Sequence, residues 1–294
     1  MRIACIVSPL HDMLTANIIE GLEELGHKIT RFTSDTDLDK LRGLKHHLII
    51  EFSNRYVDSS ITNTYDWGNS PIIYINGEDF LDDHPYNIEW KCFRSPDKYK
   101  LYFRREMLPW YKKQDHEYPL SFGVYPKYLE HHHKEKNGEY IFPSSGEYPN
   151  RREIIRYIKE NKLPVKVGRI GQFRHSITPH ATDDYYEVLN SASVIISSLG
   201  WGQDTARFWE AVATGACVIS ERVDILMDNP FTHMENVIFF DHPGELVQIF
   251  NDIEDGLIDI NKIGEAGRAH ALEYHMIRNR AKYVLDKVFE YNLL

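Results

Sequence analysis

The chain alternates short apolar runs with stretches whose apolar residues recur every three or four positions, and glycine or polar turns divide the two. That alternation predicts β-α-β units and hence parallel sheet. Arg2 to Ser8 (RIACIVS) is a near-continuous apolar run, as expected of a strand buried on both faces. Pro9-Leu10-His11-Asp12 forms a loop, and a helix follows from Leu14 to Leu25 with Ile18, Ile19, Leu22 and Leu25 on one face. Gly26 ends that helix, and strands follow at His27 to Phe32, Leu48 to Phe52 and Ile72 to Ile75. The second half repeats the rhythm. Glu139 to Ser144, Val165 to Val167, Val194 to Ser197, Ala216 to Ser220 and Val237 to Phe240 read as strands. Between and after them, helices are expected at Arg151 to Asn161, Asp183 to Ala192, Asp204 to Thr214 and Pro243 to Ile253. The tail from Ile263 to Tyr291 reads as helical, interrupted around Gly264 and Gly267. The fold class is therefore α/β.

Composition narrows this picture in three ways. The 294 residues suffice for two α/β domains of about 140 residues each. A net charge of -10 argues against general affinity for nucleic acid backbones. Cys5, Cys92 and Cys217 are widely spaced, and two of them fall in expected buried strands, which suits a reducing compartment better than a disulfide framework. The apolar runs are short and the chain opens on a strand, so the expectation is a cytoplasmic protein with no integral membrane segment.

The informative stretch runs from Val194 to Ser220. A β-branched strand passes through a glycine-containing turn, Ser198-Leu199-Gly200-Trp201-Gly202, into a helix that Gly215 stops, and a second buried strand follows. Glycines allow backbone N–H groups to approach a ligand, and a helix N-terminus favours bound anions. Asp204 or Thr205 fits the N-cap position. Arg207 and Glu210 lie three apart and share one helix face. One can neutralise a phosphate and the other can accept bonds from a ribose diol; equally, they can form an ordinary surface pair.

The segment RFWEAVATGACVIS resembles the R-x-x-E-A-x-x-x-G segment in the C-terminal domain of GT-B glycosyltransferases, and is most similar to the subgroup related to CgeB-like spore maturation proteins. The likeness covers Ser191 to Ile253 well and the rest by layout. It implies two Rossmann-like domains facing a cleft, with a final helix crossing back to the first. The expected division is an acceptor-side domain over 1–134, a nucleotide-sugar domain over 135–273 and the returning helix over 274–294. The resemblance assigns Glu210 to the donor ribose and the loop Gly200, Trp201, Gly202, Gln203, Asp204 and Thr205, with Arg207, to the diphosphate. By position, Arg169 and Arg174 in the segment Gly168 to His180 are candidate phosphate contacts. Many retaining relatives carry a second glutamate eight positions before the first; here that position is Gly202, so stereochemistry does not carry over. The implied reaction is hexosyl or pentosyl transfer to a glycan, small molecule or protein, without a metal or other cofactor, the nucleotide-sugar being the donor substrate. A non-catalytic sugar-nucleotide or glycan-binding module of the same fold, and a transferase acting on nucleic acid bases, are the alternatives.

Other candidates lie in the first half. His11 and Asp12 follow the first strand, where open α/β sheets place ligands, and a histidine there can act as general base; both can also simply turn or cap the chain. Glu78 and Asp79, after the strand Ile72 to Ile75, can position an acceptor hydroxyl or only turn the chain. Lys98 to Glu106 mixes tyrosines with basic residues, read as an amphipathic strand at the domain edge with an acceptor-facing share. His131-His132-His133 and Lys134 to Gly138 read as a solvated linker; three adjacent histidines do not share a helix face, which argues against a metal site. The opening unit lacks a G-x-G-x-x-G fingerprint, which argues against a dinucleotide site.

Overall fold

The structure, a computed structural model, describes residues 1–7, 13–33, 36, 43–52, 66–78, 98–110, 115–130, 135–144, 148–168 and 183–294. His11, Asp12, Asp79, Cys92, Arg169 and Arg174 lie outside them. The chain forms two compact units, one of residues 1–123, 225–228 and 277–294, the other of residues 124–224 and 229–276.

In the first unit the described strands are β1 (Arg2–Ile6), β2 (Lys28–Phe32), β3 (Leu48–Phe52), β4 (Ile72–Asn76), β5 (Leu101–Arg104) and β6 (Glu117–Pro119). They pair in parallel in the order β2-β1-β3-β4-β5-β6. Helix α1 (Met13–Glu24) buries Leu14, Ile18, Ile19 and Leu22, the stripe that the 3.6-residue period predicts. Its Gly21 sits against the final helix α7 (Ile277–Glu290), where a Cβ would collide with the carbonyl of Ile277 and lie 2.9 Å from the Cβ of Ala281. Glycine is what lets these two helices approach so closely.

The amphipathic reading of the strand within Lys98 to Glu106 does not hold. All four residues of β5 are buried, and the strand runs between β4 and β6. Just past its end, Arg105 Nε donates to the Gly77 carbonyl at 2.9 Å and its Nη1 pairs with Glu106 at 3.2 Å. Glu78 follows a tight turn in which its N–H donates to Asn76 Oδ1 at 2.9 Å.

In the second unit the strands are β7 (Tyr140–Phe142), β8 (Val165–Val167), β9 (Val194–Ser197), β10 (Cys217–Glu221) and β11 (Ile238–Phe240), parallel in the order β11-β10-β9-β7-β8. The helices are α2 (Pro149–Glu160), α3 (Asp183–Ser191), α4 (Ala206–Ala213), α5 (Glu245–Glu254) and α6 (Ile260–Tyr274). Phe142, Ile154, Val194, Ile196, Ile219, Phe240 and Leu246 centre one apolar core.

The interruption expected at Gly264 and Gly267 is absent, since α6 runs unbroken through both. A Cβ on Gly264 would collide with the Gly215 carbonyl, and one on Gly267 with the Asn236 carbonyl. These glycines admit neighbouring backbone rather than break the helix, and the helical tail divides instead at His275 and Met276, between α6 and α7. The linker reading also changes at Lys136, whose Nζ donates to the carbonyls of Asn190 at 2.6 Å and Thr214 at 2.7 Å. Those carbonyls close α3 and α4, so the cation satisfies two helix C-termini. Among the described residues no helix is long and apolar enough to cross a membrane.

Candidate functional site

Strand order in the second sheet reverses at β7. The chain runs from β7 to β8 on one side, then returns to place β9 on the other. Ligands of open parallel sheets bind outside the carboxyl ends of strands at such a reversal. Two helices begin there, α2 after β7 and α4 after β9.

The loop from Ser198 to Thr205 is fixed from several sides. Glu221, at the end of β10, accepts from the Leu199 N–H at 3.0 Å and from Asn150 Nδ2 at 2.9 Å. Asn150 Nδ2 and Arg151 Nε both donate to the Leu199 carbonyl at 3.2 Å. Gly200 N–H donates to the Gly202 carbonyl at 3.0 Å, closing the turn. A Cβ on Gly200 would meet only ordinary contacts, 3.6 Å from Arg151 and Thr205, so strain does not require glycine there. Trp201 projects from this loop 69% exposed, in edge contact with Tyr148 at 5.7 Å.

Gln203 and Asp204 are engaged internally. Gln203 Oε1 accepts from the Asp224 N–H at 2.7 Å, and Asp204 Oδ1 accepts from the fully buried Trp209 indole at 2.6 Å. The N-cap of α4 is Thr205, which makes no side-chain capping bond; Asp204 is drawn to the indole because a buried N–H without a partner is costly.

Glu210 lies in the second turn of α4, buried. Tyr185 OH donates to its Oε2 at 2.6 Å, the length of a charge-assisted bond. Burial raises the Glu210 carboxyl above its ordinary value, opposed by the Tyr185 bond and by the charges of Arg207 and Lys127. Arg207 and Glu210 thus do act on one face of the helix, as their spacing predicts, within an enclosed environment rather than at an open surface. Tyr125, Tyr128, Tyr185 and Tyr186 form the wall, with successive ring centroids 5.4 to 5.5 Å apart.

Residues 151–286 match the family model described as glycosyl transferase-like. The chain as a whole has the GT-B fold. The crystal structure of Anabaena HepE in complex with UDP and glucose covers 99% of this chain and 100% of its own at TM-score 0.65 and 12% identity. A glycosyltransferase from Rickettsia africae covers 99% and 98% at TM-score 0.64 and 12% identity. A putative UDP-N-acetylglucosamine 2-epimerase from Listeria monocytogenes covers 99% and 96% at TM-score 0.56 and 10% identity. No curated protein sequence matches the chain.

Within this GT-B chain the structure groups Gly200 to Thr205, Arg207 and Glu210 around the start of α4, in the second unit. Glu78 belongs to the first unit. Sequence reasoning missed Asn150, Arg151, Tyr185 and Glu221. Glu221 carried one signal, an acid directly ending an apolar parallel strand. Tyr185 carried none, because its meeting with Glu210 depends on how α3 packs against α4.

Proposed function

We propose that this GT-B chain transfers a hexosyl or pentosyl group from a nucleotide-sugar to a hydroxyl acceptor on a glycan, small molecule or protein. In this reading the nucleotide-sugar is the donor substrate and no separate cofactor or metal takes part. The observation that carries it is the buried Glu210 carboxylate, held from one side behind the loop that follows β9 at the reversal of the sheet. An acid kept there against the cost of burial is suited to a neutral polyol, which can donate hydroxyls to it. Glu210 takes the ribose diol. Arg207, the loop amides and the start of α4 take the diphosphate and stabilise it as it leaves the anomeric carbon. Trp201 offers a face for stacking, while Gln203 and Asp204 shape the loop through their internal bonds. Arg169 and Arg174 are assigned to further phosphate contacts, Glu78 and Asp79 to the acceptor, and His11 or Asp12 to its activation.

Thermal shift against UDP, GDP, ADP, CMP and dTDP sugars tests the donor class. A ligand at a hundred times its Kd adds about 2.7 kcal/mol to the folded state. Glu210→Ala should weaken donor binding about tenfold to a hundredfold while the protein stays folded. A variant that unfolds, with its residual folded fraction binding donor normally, would make Glu210 a structural acid and the assignment wrong. Donor binding without donor hydrolysis or transfer would favour a binding module instead. Full transfer activity in both His11→Ala and Asp12→Ala proteins would remove those two from the mechanism.

A further inference from the structure

The surroundings of Glu210 carry an inference that rests on the donor reading above and deepens it. Three elements of the second unit face this carboxylate. Helix α3 contributes Tyr185 and Tyr186. The 3₁₀ turn Pro126–Leu129 contributes Tyr128, fully buried, and Lys127, whose Nζ lies 5.3 Å from the Tyr125 ring centroid and 5.9 Å from that of Tyr128. Helix α4 itself contributes Arg207. The hydroxyl of Tyr185 takes Oε2, whereas Oε1 accepts no hydrogen bond among the described residues.

We propose that Tyr185 is a positioning residue of the donor site, fixing Glu210 through Oε2 so that Oε1 is presented to the vicinal diol of a ribonucleoside diphosphate.

The physical case has three parts. The last torsion of a glutamate is broad, so an untethered carboxylate samples many planes, and one short bond from a rigid donor selects among them. Tyr185 is rigid because it is buried, with 1% of its surface exposed, and its ring meets that of Tyr186 at 5.4 Å. Burial also drives the Tyr185 phenol far above its ordinary range, so it remains a protonated donor. An ionised Oε1 can accept two hydroxyls at once, which a 2′-deoxyribose cannot supply. If Tyr185 served packing alone, phenylalanine would replace it without consequence. Loss of the hydroxyl instead frees the carboxylate plane and removes the largest influence that keeps the buried acid ionised.

The test measures binding of UDP, GDP and ADP, and of their 2′-deoxy counterparts, to the full chain by calorimetry from pH 5 to 8. Wild type should prefer the ribonucleotide. Tyr185→Phe should keep the wild-type melting profile and bind the ribonucleotide about five- to tenfold more weakly. Its preference for ribose over deoxyribose should fall by the same factor. The acid limb of binding, defined as the part that Glu210→Gln lacks, should move to higher pH. Should Tyr185→Phe fail to fold, incorporation of 2,3-difluorotyrosine at position 185 supplies a stronger donor of nearly the same size, and the limb should move to lower pH. Wild-type affinity, sugar preference and pH profile in Tyr185→Phe, or an unmoved limb in the fluorinated protein, overturns the proposal. If Glu210→Ala still lowers affinity in that case, the donor reading survives and only the positioning role falls. If no nucleotide binds wild type, or Glu210→Ala binds normally, the donor reading fails and takes this inference with it.

Discussion

The two sheets share a parallel architecture but differ in what they bury. Across the first, one register row runs Ile6, Glu51, Tyr74, Tyr102 and Glu117, with Arg104 two positions further along β5. Glu51, Arg104 and Glu117 are all buried. Burial pushes the Arg104 guanidinium down to about 10, opposed by the charges of Glu117 and Tyr74. Across the second sheet the row Ile196, Ile219 and Ile238 is aliphatic, while Ser198 lies just past β9, Glu221 is the last residue of β10 and Glu210 is on helix α4. Ionisable groups in the middle of a sheet have to be satisfied by one another. Groups just past the strand ends can be held from one side and remain available on the other. On this difference rests the proposal of a donor site in the second unit, although among the described residues the first contains more buried charge.

The sharpest way to break the comparison is to disturb the packing that the second sheet depends on. Gly264→Ala puts a methyl group into the Gly215 carbonyl and the backbone leading into β10. Alanine gains roughly 1 kcal/mol of helix propensity, but the strand has no side-chain rotamer with which to yield. A net loss of about 3 kcal/mol or more is expected, read from the urea midpoint. An unchanged midpoint would show that α6 can slide, and that the glycine is incidental.

Next comes the charge buried in the first unit. Glu106→Ala removes the carboxylate 3.2 Å from the Arg105 guanidinium, which is 1% exposed in its side chain and also meets the Gly77 carbonyl and the Phe122 ring. Breaking a buried ion pair costs about 3 kcal/mol. A cost under about 1 kcal/mol would mean that the other groups around the cation hold it without Glu106.

The smallest effect belongs to Glu210 and has the opposite sign. Folding raises its pKa from the ordinary 4.5, so the folded state holds this proton more tightly than the unfolded chain does. The associated stability is present below the ordinary carboxyl range and is lost as pH rises through the raised value. Glu210→Gln carries no such term. Wild type should therefore lose ground to Glu210→Gln between pH 4.5 and neutrality, as followed by urea midpoints at successive pH values. A wild type that gains on the variant over that window would mean that Tyr185, Arg207 and Lys127 outweigh the burial cost.

Much of the fold was legible in the chain. The expected ranges for β3, β8 and β9 coincide with the strands, and α1, α2 and α4 fall within two residues of expectation at every end. Local rules suffice for such elements, because apolar period and turn chemistry act over a few residues. The candidate site was legible as a place in the fold: a glycine turn between a β-branched strand and an amphipathic helix. Its internal wiring was not.

The sequence by itself determined the order of elements, the parallel α/β class and the family likeness of the segment around Glu210. Only the tertiary structure decided that β5 is interior, that Gly264 and Gly267 admit backbone instead of ending a helix, and that Asp204 holds an indole. It also decided that Tyr185, 25 positions before Glu210, is the group that holds its carboxylate. Period and propensity act between near neighbours. Burial, register and the partner of a polar side chain are settled by residues far apart in sequence, and exist only once the layers have packed.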